Sequence, residues 1–332
     1  MRALVLDGVG KSLKVREVPT PEAGAGEAVV RVVAAAINHR DLWIQKGQYA
    51  GLKFPIVLGS DGVGIVHECG AGVDASWKGR AVVLDPSLHW GDEPRAQGRE
   101  FRILGLPDDG TFAEYVRVPA PQLHARPAHL TDAEAAALPL AGVTAYRAVV
   151  TQGEVREGMR VLVTGIGGGV SAFALQIAHA RDAEVHVTSS QNDKLERARA
   201  HGAAFGANYT NEAWVKELKA KAPEGYDLIV DSAGGDGFAS LLDLARPGGR
   251  IVFYGATRGN PPGLDLRRIF WKQLRLQGTT MGTAADFAGL LKLYTDAKLR
   301  PVVDQTFPLA EGNEAFAHVA AAAQFGKVVL VV

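Results

Sequence analysis

The sequence predicts an α/β protein in which a small, barrel-like β domain precedes a doubly wound parallel sheet. Three observations predict it. Residues up to about 120 form short β-rich runs separated by turn-forming residues. From about residue 130 strands and helices alternate, the pattern of βαβ units. Within that alternating region, Arg160–Ala183 carries an apolar run, a glycine cluster and a helix-spaced segment in immediate succession.

That last stretch organises the rest. Val161 to Thr164 are β-branched or apolar, so a buried strand is expected. Gly165, Gly167, Gly168 and Gly169 follow, then Val170, Phe173, Leu175, Ile177 and Ala178 at helical spacing. Strand, glycine turn and helix make the phosphate-binding corner of a doubly wound sheet: glycine lets the backbone approach a pyrophosphate, and the helix N-terminus offers N–H groups and a positive dipole end. Ser171 stands where the usual pattern has its last glycine. It is small enough to keep helix and strand close.

The next strand, Glu184 to Thr188, bears on the nucleotide. An acidic residue at the end of this strand would bind a ribose 2′-hydroxyl and repel a 2′-phosphate. Ser189 and Ser190 stand there, with Lys194 just beyond. Two hydroxyls and an ammonium suit the extra phosphate, so NADPH is expected over NADH. The serines also suit a cap for the helix beginning near Asp193.

The 332 residues suggest two domains, and 47% apolar residues suffice for substantial cores. Basic and acidic side chains balance at 36 each, so no basic field is present to hold nucleic acid or an anionic membrane. The single cysteine, Cys69, rules out an internal disulfide and fits a reducing, cytoplasmic setting; its strand-like surroundings predict a small buried packing residue. Met1–Gly8 reads as a strand rather than a signal peptide, and no apolar run is long enough to span a bilayer.

In chain order, Ala3 to Leu6, Leu13 to Val18 and Ala28 to Ala35 read as strands, and Arg40 to Lys46 as a short helix. Strands are also expected around Pro55–Val66, Arg80–Leu84 and Phe112–Val118, with a polar irregular segment over Pro86–Arg102. Thr131 opens a helix with a capping-box-like pattern, and Thr144 to Thr151 continues helical. Beyond the glycine corner, strands are expected near Val185, Ala207–Tyr209, Asp227–Val230, Arg250–Tyr254 and Leu274–Gln277. The tail carries two helices and a last strand, Lys327 to Val331, which needs a sheet edge and is expected to rejoin the first domain.

This layout, with Asn38-His-Arg-Asp41, Gly59-Ser-Asp-Gly-Val-Gly64, Leu140-Ala-Gly-Val-Thr144-Ala-Tyr146, the glycine corner and Ala204-Phe-Gly-Ala-Asn-Tyr209, resembles the medium-chain dehydrogenase/reductase superfamily, nearest its zinc-free quinone oxidoreductase branch. The resemblance implies a GroES-like β-barrel catalytic domain (1–125), a Rossmann NADPH-binding domain (126–270), and an edge strand with a C-terminal return to the catalytic domain (271–332). It implies a cleft between the domains and a homodimer joined partly through the edge strand near Leu274 to Gln277. It places Gly167, Gly168, Gly169 and Val170 at the pyrophosphate, and Ser189, Ser190, Lys194 and Tyr209 around the 2′-phosphate. Gly234, Gly255 and Ala256 fall at later strand ends, Thr279, Thr280 and Met281 at the carboxamide, and Thr144 and Tyr49 beside the nicotinamide.

Zinc-dependent members of that superfamily place Cys, His and Cys where this chain has His39, Ser60 and Leu140. An imidazole, a hydroxyl and an isobutyl group do not make a zinc site. The four clustered cysteines of the structural zinc are absent from Pro86–Arg102, where His89, Asp92, Glu93 and Glu100 read as an exposed polar loop. No metal is therefore expected. Without a Lewis acid, alcohol oxidation is disfavoured, and reduction of a quinone or α,β-unsaturated carbonyl is the expected chemistry. Asn38 and Tyr49 are the candidate catalytic groups; His39, Asp41, Ser60 and Leu140 are expected to line the substrate pocket. The rival readings are an enoyl-thioester reductase, a non-catalytic NADPH-binding structural or redox-sensing protein and, more remotely, a zinc alcohol dehydrogenase.

Overall fold

The computed structural model describes all 332 residues. They divide into two units, Met1–Ala141 with Thr283–Val332, and Gly142–Gly282. The boundaries read from the sequence at 125 and 270 therefore move to 141 and 282. The edge strand belongs to the parallel sheet of the second unit rather than to the C-terminal return.

The first unit contains strands β1 (Arg2–Leu6), β2 (Lys14–Glu17), β3 (Glu27–Ala36), β4 (Ile56–Val57), β5 (Asp61–Cys69), β6 (Ala81–Leu84), β7 (Ser87–Leu88), β8 (Arg102–Ile103), β9 (Tyr115–Pro119) and β10 (Leu123–Ala125). Helices α1 (His39–Gln45) and α2 (Asp132–Ala137) lie between and after them, and α3 (Pro139–Tyr146) leads into the second unit. Thr131 caps α2 through the reciprocal bonds of a capping box with Glu134.

The second unit is a six-stranded parallel sheet: β11 (Arg160–Val163), β12 (Glu184–Ser189), β13 (Ala203–Asn208), β14 (Tyr226–Asp231), β15 (Ala245–Phe253) and β16 (Arg275–Gly278). The strand order is β13-β12-β11-β14-β15-β16, the doubly wound order with its switch point between β11 and β14. Helices α4 (Gly169–His179), α5 (Asn192–Arg199), α6 (Trp214–Lys221), α7 (Phe238–Leu244) and α8 (Leu266–Trp271) connect the strands. Leu162, Ile229 and Ile251 from neighbouring strands are fully buried, with Leu242 of α7 beside them.

The chain then returns to the first unit through α9 (Ala284–Asp296), β17 (Val303–Pro308), α10 (Gly312–Ala320) and β18 (Lys327–Val331). β18 does more than cover an edge. It lies between β3, with which it is antiparallel, and β17, with which it is parallel. Val328, Val329 and Leu330 are buried there, each contributing about 1.5–3 kcal/mol of burial free energy. Phe316 of α10 packs edge-on against Phe112 in the same core.

Several local expectations change. Ala207 and Asn208 end a longer strand beginning at Ala203, with Tyr209 just beyond it, and α8 and β17 are elements not expected from the sequence. Pro86–Arg102 is not wholly polar loop. Its ends pair as β7 and β8, and Trp90, 7% exposed, packs edge-on against Phe101 at 5.2 Å. Cys69 ends β5 half-buried rather than buried.

Candidate active site

Every carboxyl end of the second unit's sheet carries residues expected to touch a dinucleotide. After β11 the chain turns through Gly165 to Gly168 into α4, whose N-cap, Gly168, has no side chain to satisfy the first N–H groups. Gly167 holds φ +121, and a Cβ there would fall 2.6 Å from Lys194 Cδ and 3.2 Å from its Nζ. Glycine is thus favoured by the backbone, and the Lys194 side chain is laid over the turn. Ser171 explains itself: its hydroxyl lies 2.9 Å from the carbonyl of Gly168 and 3.1 Å from that of Gly165, tying the turn from below. The Ile166 N–H donates to Thr188 O at 2.7 Å, which fixes the turn to β12.

The end of β12 presents Ser189 and Ser190 with no carboxylate. Ser189 Oγ accepts from Gln191 N–H at 3.2 Å, so it does shape the start of α5. Tyr209 follows β13, its N–H donating to Ser189 O at 3.0 Å. Above the Tyr209 ring, 5.4 Å from its centre, lies the Arg258 guanidinium. The sequence reading missed Arg258, which sits in a loop after β15 with no periodic pattern to mark it.

At the switch point, Thr164 Oγ1 donates to Asp231 Oδ1 at 2.5 Å, and Gly234 N–H donates to Asp231 Oδ2 at 2.9 Å. This carboxylate joins the ends of β11 and β14. The loop bearing Gly234 is bonded in turn to the one bearing Gly255 and Ala256, through Thr257 N–H to Ser232 O at 3.1 Å. Thr279, Thr280 and Met281 follow β16. Thr279 Oγ1 is enclosed without a partner. Thr144 is buried on α3. A glycine turn with a lysine over it, an uncapped helix start and an orphaned hydroxyl fit a dinucleotide at this edge.

The first unit gathers a second set. Gly59 holds φ +102 with Phe112 and Thr111 pressed against it, so Ser60 and Asp61 turn inward. Asp61 is fully buried. Its Oδ1 accepts from the Leu140 N–H at 2.7 Å; its Oδ2 accepts from Asn38 Nδ2 at 2.9 Å and from Lys327 Nζ at 2.8 Å. Lys327 also donates to Asn38 Oδ1 at 2.6 Å. The Asn38 amide is therefore bonded at both ends. It is not held out to a substrate, which corrects its expected catalytic role.

Asp41 and Ser60 also depart from their expected places as pocket wall: both are 0% exposed. Asp41 Oδ2 accepts from the Asn38 N–H at 2.8 Å and so caps α1. Burial pushes its pKa up to about 6, against the pull of the Arg40 charge. Ser60 Oγ donates to Leu104 O at 2.8 Å and accepts from Arg40 Nη1 at 2.6 Å. Arg40 lies over the Tyr49 ring, 5.1 Å from its centre. His39 is exposed at the start of α1. Leu140 is half-buried, with only its backbone bonded to Asp61.

Arg40 and Lys327 are the members the sequence reading passed over. Arg40 lay inside a quoted motif, read only as part of a helix. Lys327 is 266 residues from Asp61 and had no local signal. No group of three or more His, Cys, Asp or Glu residues stands close enough to hold a metal. His39, Ser60 and Leu140 do not supply the ligands of a tetrahedral zinc, and two cations occupy the neighbouring bonds.

An Alcohol dehydrogenase GroES-like domain model matches residues 24–128, and a Zinc-binding dehydrogenase model matches residues 169–296. The chain belongs to the medium-chain dehydrogenase/reductase superfamily of oxidoreductases. It is 34% identical to the zinc-type alcohol dehydrogenase-like protein YogA of Leptosphaeria maculans, across 96% of this chain and 94% of that protein. It is 32% identical to an acryloyl-coenzyme A reductase of Metallosphaera sedula, across 99% of each. A crystal structure of an NAD-dependent alcohol dehydrogenase superposes with a TM-score of 0.95 at 39% identity, covering 100% of both chains.

Proposed function

We propose that the protein is an NADPH-dependent, zinc-independent reductase of quinones or α,β-unsaturated carbonyls. The observation that carries this reading is the pair of cations in the first unit. Arg40 is bonded to Ser60, and Lys327 is bonded to Asp61. A dication placed among these groups would meet two positive charges and too few ligands. Quinones and enones are already electrophilic and need no metal to accept a hydride.

Bound NADPH would supply that hydride. Gly167 to Val170 would hold its pyrophosphate against the start of α4, and Asp231 fixes the two strand ends beneath it. Ser189, Ser190, Lys194 and Tyr209 would hold the 2′-phosphate, with Arg258 as a further cation. No carboxylate at the end of β12 opposes that phosphate.

The test is NADPH oxidation against a panel of quinones and enones, with and without a chelator, beside metal analysis of the purified protein. Chelator-insensitive turnover is expected. Stoichiometric zinc with activity lost on chelation would overturn the metal-free reading; no turnover of any acceptor would overturn the reductase reading. The likeness to the acryloyl-coenzyme A reductase favours a second reading, an enoyl-thioester reductase, and acryloyl-coenzyme A belongs in the same panel.

We also propose a homodimer. β16 is the last strand of its sheet and largely exposed. Beside it in sequence, α8 exposes Leu266 (67%), Phe270 (65%) and Trp271 (83%). A second copy fits both an unpaired edge and an apolar face. No helix is long and apolar enough to cross a membrane.

A further inference from the structure

Arg40 is held in a way that a merely structural arginine does not require. Its side chain is nine-tenths enclosed, with 6% of the residue exposed. No carboxylate lies within ion-pair distance of it. Of five guanidinium N–H groups, the two on Nη1 are used, on Ser60 Oγ at 2.6 Å and Leu104 O at 3.0 Å. Nε is enclosed and has no partner. Nη2 makes no hydrogen bond and is not enclosed. The Tyr49 ring supports the face of the guanidinium, 5.1 Å away.

A desolvated cation with unused donors is costly unless something completes it. The nearby Asp41 acts on it only through its charge: its Oδ2 accepts from the Asn38 N–H, its Oδ1 is enclosed without a partner, and neither oxygen bonds the guanidinium. Ser60 and Leu104 fix Nη1 and the Tyr49 ring lies against the group, so Nη2 is held in place with its donors unused.

We propose that Arg40 is a catalytic residue of the reduction, its Nη2 donating to the carbonyl oxygen of an α,β-unsaturated acceptor. The assignment rests on the reductase reading above and names the group that takes the developing charge. Bound NADPH would supply a hydride to the β-carbon; the C=C pair would then shift to the α-carbon–carbonyl bond and the C=O pair would move onto oxygen. The resulting enolate is the oxyanion that Nη2 stabilises. A solvent proton then bonds to the α-carbon as the C=O re-forms; the acceptor is reduced by two electrons and the nicotinamide oxidised by two. Arginine keeps its own proton throughout. The same donor suits a ketone-like or thioester carbonyl and offers nothing to an isolated alkene.

The test uses the full chain and a probe that needs no turnover. 4-Nitrophenol titrated into the nucleotide-free protein should bind as its phenolate, read by the 400 nm band, at least tenfold better than as the phenol. Arg40→Met should abolish that preference and Arg40→Lys should keep part of it. With NADPH and an enone, Arg40→Met should lower kcat/KM about 100-fold, the scale for loss of one oxyanion donor, with the NADPH Kd unchanged. Millimolar guanidinium should restore part of the loss. Wild-type protein showing no preference for phenolate overturns the assignment whether or not the variants fold. So does an Arg40→Met enzyme within threefold of wild type. Phenolate binding through Arg40 with no enone turnover by wild type would leave the oxyanion site standing and overturn the reductase reading instead.

Discussion

Lys327 Nζ lies 2.8 Å from Asp61 Oδ2, joining β18 to the start of β5 with both side chains enclosed. The bond ties together segments 266 residues apart. Through Asp61 Oδ1 it also fixes the Leu140 N–H, at the start of α3.

Removing one partner of this pair should be worse than removing both. Lys327→Met leaves Asp61 buried without its counter-charge, held only by the Asn38 and Leu140 donors, and should lower unfolding free energy by up to ~3–5 kcal/mol. Adding Asp61→Asn should recover part of that loss. Urea unfolding of the two single variants and the double variant measures the coupling; additive losses would mean that the pair is not coupled.

The Asp85 contribution to stability should fall as pH rises from about 4 to about 7, opposed in the upper part of that window by His39, His124, His186 and His201, whose pKa values are held down. Burial pushes the Asp85 pKa up to about 7; the Ser87 N–H opposes the shift and the Asp286 charge adds to it. Its folded form holds a proton that the unfolded chain has already lost in this window. Above about 7 both states are ionised and the slope vanishes. Asp41, raised to about 6, adds in the lower part of the window. Asp85→Asn should flatten the dependence by a few kcal/mol, seen in urea midpoints at pH 5 and pH 7.5. An unchanged slope would mean that Asp85 ionises normally.

Lys194 and Arg258 should discriminate between nucleotides. Lys194→Ala and Arg258→Ala should each weaken NADPH by ~1.5 kcal/mol or more, with a smaller loss for NADH, measured by nucleotide fluorescence titration. Because Lys194 lies over Gly167, equal losses for both nucleotides would reassign it to the pyrophosphate. Gly167→Ala should abolish binding of either.

The exposed face of α8 should govern association. Phe270→Glu with Trp271→Glu should turn a dimer into a monomer in light scattering while leaving the parallel sheet folded, since neither side chain is buried in its core. A dimer that survives would place the interface elsewhere.

The sequence by itself determined the class of fold and the nucleotide edge. Both are written locally: a β-branched run, four glycines and an apolar helix stripe within twenty residues fix the corner around Gly167, and strand–helix alternation fixes its neighbours. The tertiary structure alone decided what Asn38, Asp41 and Ser60 do. Each sits in a motif suggesting an open pocket, yet the Asn38 amide is bonded to Lys327 and Asp61, Asp41 Oδ2 to the Asn38 N–H, and Ser60 Oγ to Arg40 and Leu104. Partners separated by up to 289 residues leave no periodic trace. Hydrogen bonding inside a low-dielectric core depends on which groups folding brings together, and that choice is made by the packing of β18 beside β3 rather than by any local pattern.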